Sequence, residues 1–88
     1  MCRNIHQLFN FDPPATEQEI QDASLQFVRK ISGFQKPSKV NEKAFNIAVE
    51  KVSVDVSKLL SELLTDAEPK NREVEHRKAH ARALKRFH

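Results

Sequence analysis

Three sets of residues in this chain have the types and spacing to do chemistry: Cys2 with Arg3 and His6, the pair His76 and His80, and the cations that follow Arg72. Cys2 is the sole cysteine. A small second residue favours removal of the initiator Met, which would leave Cys2 as the free N-terminus. Its amine and thiol have reference pKa values of about 8 and 8.5, so both are partly deprotonated near neutrality. Together they form a bidentate metal ligand, or a nucleophile that carries its own base. Arg3 would lower the thiol pKa, and His6 would add a ligand or a base. The plainer reading, and the favoured one, is a small apolar residue anchoring the N-terminal arm.

His76 and His80 stand four apart on a helical segment and can face the same way. This is the spacing of the zinc-protease helix, yet Arg77 occupies the position where the catalytic Glu would stand. Zinc hydrolysis on that motif is therefore excluded. Metal binding through Cys2, His6, His76 or His80 is a minor reading against ordinary solvated histidines. Ser38 follows Lys36 and Pro37, but a helix cap explains it better than a nucleophile does. The chain has no glycine-rich phosphate loop, paired-carboxylate site or multi-cysteine cluster. The balance is against an enzyme, and no cofactor is implied.

Charge is split along the chain. Residues 1–69 carry 8 Lys/Arg and 10 Asp/Glu, whereas residues 70–88 carry 7 and 2, which together give the net +3. Arg72, Arg77, Lys78, Arg82, Lys85 and Arg86 are the candidate binding residues. Cations that neutralise phosphates release counterions, so a nucleic-acid partner is one reading. Its support is weak, because stacking aromatics are nearly absent here and no named DNA-binding module fits. The plainer reading is a solvated helix steadied by a Glu73–Arg77 pair at i,i+4.

The elements that must position these residues are helices. One glycine in 88 residues, with no alternating β-branched runs, argues against sheet. Residues 1–15 read as an ordered, extended arm: Leu8, Phe9 and Phe11 are too apolar to sit freely in water, and Pro13 and Pro14 keep the path extended. Thr16 with Glu19 three residues later is a capping box opening the first helix. Ile20, Ala23, Ser24, Phe27, Val28 and Ile31 form its apolar stripe, and Gly33 supplies its left-handed end. Ser38 or Asn41 caps a second helix running to about Leu64. Its seam is Phe45, Val49, Val52, Val56, Leu59 and Leu63, at heptad spacing. A core helix is the favoured reading of that seam, and a homodimer or protein-partner interface is the alternative. The third helix is expected over 69–86, with Pro69 at its first position and a narrow stripe of Val74, Ala81 and Leu84.

The expected fold is therefore all-α, a single domain over 1–88. It consists of a three-helix unit with an antiparallel helix hairpin, an ordered extended N-terminal arm and a basic C-terminal helix. A domain this short buries only about 60–65% of its unfolded surface, which favours a surface binding face over a deep cavity. One cysteine, a polar N-terminus and no stretch near the ~20 apolar residues of a membrane span predict a cytoplasmic protein with no membrane partner.

The opening Met-Cys-Arg-Asn-Ile, the run Leu-Phe-Asn-Phe-Asp-Pro-Pro-Ala-Thr from Leu8 to Thr16, and Arg29-Lys30-Ile31-Ser32-Gly33-Phe34 followed by Lys36-Pro37-Ser38 carry a resemblance. The chain resembles the short bacterial proteins of the domain of unknown function 2277 family, over its whole length and including Arg72-Glu73-Val74. That resemblance implies a stand-alone cytoplasmic protein and no particular activity. A fainter similarity in cadence links 13–20 and Ala44-Phe45 to the J-domain of Hsp70 cochaperones. Lys36-Pro37-Ser38 stands where those domains have His-Pro-Asp, so Hsp70 stimulation does not follow. The expected function is a small non-enzymatic binding or adaptor module acting through the arm and third helix. The alternatives are thiol or metal chemistry at Cys2 and weak nucleic-acid binding.

Overall fold

The computed structural model of the chain describes residues 5–86, so Cys2, Arg3, Phe87 and His88 lie outside the described residues. In chain order the elements are a short strand β1 (Phe11–Asp12), helix α1 (Glu17–Ser32), a 3₁₀ turn (Lys39–Asn41), helix α2 (Glu42–Glu62), a second short strand β2 (Lys70–Asn71) and helix α3 (Arg72–Arg86).

Thr16 starts α1 as its spacing requires. The Glu19 N–H donates to Thr16 Oγ1 at 3.2 Å, and the Thr16 N–H donates to Glu19 Oε1 at 3.1 Å, completing the capping box. At the other end Gly33 adopts φ 78°, and its N–H donates to the Arg29 carbonyl at 2.9 Å. Only glycine takes that left-handed conformation without a steric cost.

Helix α2 runs back along α1 to make the hairpin. Neither Ser38 nor Asn41 caps it through its side chain. The Asn41 amide donates instead to Ser38 Oγ at 2.9 Å, and the chain enters α2 through the 3₁₀ turn. The helix stops at Glu62, two residues short of the sequence expectation, with Leu63 already extended.

The hairpin core is small. Among the described residues Ile20, Val28 and Phe45 are the buried hydrophobic ones, and Ser24 is buried between Ile20 and Val28 on α1 with its hydroxyl donating to the Ile20 carbonyl at 2.7 Å. The α2 seam holds for its first half: Phe45 is buried and Val49, Val52 and Val56 are half-buried. It fails at Leu59 and Leu63, which stay 53% and 42% exposed, while Leu60 turns inward instead. A straight helix drifts by about 20° per heptad from a strict seven-residue repeat, and two heptads carry Leu59 off the seam. The α1 stripe is likewise only half covered, since Ile31 remains 69% exposed and Phe27 lies open beside it.

The third helix departs from expectation at its start. Pro69 is not its first residue. The Lys70 N–H donates to the Asn10 carbonyl at 2.8 Å, and β2 pairs in parallel with β1, Phe11 opposite Lys70 and Asp12 opposite Asn71. That pairing holds the chain extended through Asn71, whose Oδ1 then accepts the Val74 N–H at 3.1 Å and caps α3. The structure is otherwise helical, as the low glycine content implies.

Helix α3 does not pack along the hairpin. The molecule is flat, 43 × 39 × 18 Å, with a radius of gyration of 15.6 Å. A compact chain of this length would have about 12 Å. Among the described residues no helix is long and apolar enough to cross a membrane.

Candidate interaction surface

The arm, the hairpin and α3 meet at one side chain. Arg72 reaches from the first residue of α3 to the first turn of α1, where its Nη1 donates to Glu19 Oε2 at 2.9 Å. Its Nε donates to the Pro13 carbonyl at 2.7 Å, and its guanidinium lies 5.7 Å from the centre of the Phe11 ring. A charge-assisted hydrogen bond, a bond to a backbone carbonyl and a cation–π contact thus converge on one planar fork. Asn10 adds to the knot. It takes the left-handed conformation at φ 65°, which Asn tolerates better than most residues, and its amide donates to the Glu68 carbonyl at 3.2 Å. Lys70 Nζ donates to Gln7 Oε1 at 3.2 Å.

Glu19 carries both halves of this arrangement, the capping box through Oε1 and Arg72 through Oε2. Arg72 foremost, and then the Thr16 backbone N–H, hold its carboxyl below the ordinary pKa of 4.5. A carboxylate whose folded pKa is depressed contributes stability above its unfolded value, and that contribution is lost as pH falls through the folded value. Replacing Glu19 with Gln should therefore lower the melting temperature at pH 7 and make progressively less difference below pH 4.5. Melting curves of both proteins between pH 7 and 3 check this; a gap that stays constant down to pH 3 counts against it.

Beyond the knot, α3 presents its side chains to solvent. Arg77, Lys78 and Arg82 are exposed, and so are His76 and His80. The side chains of Lys85 and Arg86 lie outside the described residues. Of the six cations considered as contacts, Arg72 is already committed inside the molecule. The ion pair on the helix is Lys78–Glu75 at 3.6 Å, in place of the expected Glu73–Arg77. Val74, Ala81 and Leu84 fall within about 80° of one another around the helix, with Arg77 among them and Lys78 at the edge.

Among the described residues the histidines are not brought together into a metal site. His6 lies in the arm, exposed beside the hairpin, whereas His76 and His80 ride on α3. Among the described residues no three His, Cys, Asp or Glu side chains come together in a metal-binding arrangement. Cys2 and Arg3 lie outside the described residues.

Residue-by-residue reading of the sequence does not reveal the grooves of the hairpin, of which two bear on its surface chemistry. One, of about 330 Å³, opens beneath the arm and is lined by Ile5, Leu8, Phe27, Val52, Val56 and Leu60. The other is larger, about 730 Å³, and runs along the opposite edge between α1 and α2. Ile20, Leu25 and Val49 are apolar residues of its lining, and Glu17, Asp22, Glu50 and Lys58 are its charged ones. Its acidic side chains come from two helices and form a group only once the hairpin is folded. The one signal in sequence is that Glu17, Asp22 and Glu50 all stand off the apolar stripes.

A small, mostly helical protein with open grooves and a projecting helix is the class these features define. Residues 1–78 match the family model described as "Uncharacterized conserved protein (DUF2277)", and the chain belongs to that family. Neither the curated proteins nor the solved structures give a match.

Proposed function

We propose that this protein is a non-enzymatic binding module whose working element is α3, presented on the root that Arg72 ties to the arm and α1. The observation that carries this reading is the bare helix. A 15-residue helix in water is marginal on its own. Here Val74 and Leu84 lie open and only the root is anchored. A partner that covers Val74, Ala81 and Leu84 would supply the missing packing. The cations around that stripe call for an acidic surface.

A photo-reactive residue placed at Ala81 in cells tests the reading. A discrete protein adduct is expected, and it should vanish when Arg77 and Arg82 are both changed to Glu. The same probe at Val40, exposed at the far end of the hairpin, should give none of that adduct. Absence of any adduct from Ala81 overturns the proposal. The exposed Arg77, Lys78 and Arg82 also support a nucleic-acid reading, which predicts a gel shift that weakens steeply with salt. No shift with duplex or single-stranded probes at low salt removes it.

A further inference from the structure

The chain holds a surface that matches α3, though not one its own α3 occupies. The larger groove extends along α2 from Asn46 to Ser61. At 1.5 Å per residue that is about 22 Å, and a 15-residue helix has the same length. The groove has an apolar floor of Ile20, Leu25 and Val49, and its charged lining of Glu17, Asp22, Glu50 and Lys58 is net acidic, with Asp22 and Glu50 on opposite helices. Helix α3 has an apolar stripe with Arg77 within it and Lys78 and Arg82 on its Val74 side. Length, apolar match and charge sign all agree.

Within one copy the two do not meet. The β1–β2 pair and the Arg72 knot fix the first residues of α3 beside the N-terminus of α1 and send the helix away from the hairpin. We infer that α3 of one copy lies in the α1–α2 groove of a second copy, and reciprocally, in a helix-exchanged homodimer. This rests on the reading of α3 as the binding element and names its partner.

Surface area supports a second copy of the chain over a small ligand. The accessible surface is 7596 Å². That is about 2,300 Å² more than the ~5,300 Å² expected of a compact chain of this mass. Two copies that each hid much of that excess would share an interface of the 2,000–5,000 Å² found in obligate homodimers. The three buried hydrophobic residues of one copy make a thin core, and the exchange would add Leu25, Val49 and Val54 to it.

The test is a charge exchange read by sedimentation equilibrium on the full chain. Wild type should run at about 20 kDa, twice its 10.2 kDa. Asp22→Lys with Glu50→Lys should give a monomer, as should Arg77→Glu with Arg82→Glu. All four positions are exposed, so folding should be kept, and circular dichroism checks it. Mixing the two charge-reversed proteins makes both contacts complementary again, and a mixed dimer should form. A wild-type monomer at 100 µM overturns the inference, and so does a dimer indifferent to both reversals. A monomer that still gives an Ala81 adduct with another protein loses the homodimer but keeps the binding-module reading. A monomer without that adduct loses both.

Discussion

Replacing Arg72 with Ala should free α3 from the hairpin and leave the hairpin folded. The side chain ties three segments at once, through Glu19, Pro13 and Phe11. Removing it leaves the two-residue strand pair, the Asn10 bonds and the Lys70–Gln7 bond to hold the root. Two ordered contacts to charged or carbonyl oxygens are worth about 1.5–3 kcal/mol each when well shielded. The Arg72 and Glu19 side chains are 33% and 35% exposed, so solvent screening takes the expected loss down to about 1–2 kcal/mol. That is roughly a tenfold rise in the population with an open root. Amide exchange at Lys70 and Val74, whose N–H groups are bonded at 2.8 and 3.1 Å, should speed up by that factor. Amides in the middle of α1 should not change. Arg72→Lys should recover only part of the protection, because an ammonium cannot reach Glu19 and Pro13 with the same planar fork. Unchanged exchange at Lys70 in Arg72→Ala would show that the strand pair alone holds the root.

The root also marks the limit of what the sequence makes legible. Thr16, Glu19 and Gly33 announce α1 because capping is local: donor and acceptor sit within four residues of each other. The partners of Arg72 are 53 and 59 residues away, and no periodicity encodes them. A strand of two residues is too short to show alternation, so β1 and β2 leave no pattern to read. Two signals do exist in hindsight. Asn71, followed by Glu73 and Glu75, is a better helix start than Pro69, since Asn caps and early acids suit the dipole. Asn10 ahead of Phe11-Asp12-Pro13-Pro14 is a residue type that tolerates the left-handed turn it makes. The grooves are further from view still. Asp22 and Glu50 share a surface only because α1 and α2 run antiparallel, and each looks like an ordinary solvated acid on its own helix.

The largest single effect should come from Phe45→Ala. Phe45 is 8% exposed and is the one buried aromatic of the hairpin, in the first turn of α2. Truncating a buried Phe costs about 3–5 kcal/mol, the lost transfer energy plus the cavity left behind. A domain of this length has little to set against that, because total stabilities run at roughly 0.05–0.15 kcal/mol per residue. The variant should lose most of its cooperative thermal transition, with ellipticity falling gradually instead of at a midpoint. Leu64→Ala is the control: Leu64 is 95% exposed, and its loss should stay within about 0.5 kcal/mol. If the helix-exchanged dimer forms, the wild-type melting temperature should rise with protein concentration, because dimerisation adds to apparent stability by mass action. Leu25→Ala should then cost more at high concentration than at low, since Leu25 lies in the groove that α3 of the second copy would fill. A sharp wild-type transition whose midpoint does not move with concentration would place all the stability of the fold inside one copy.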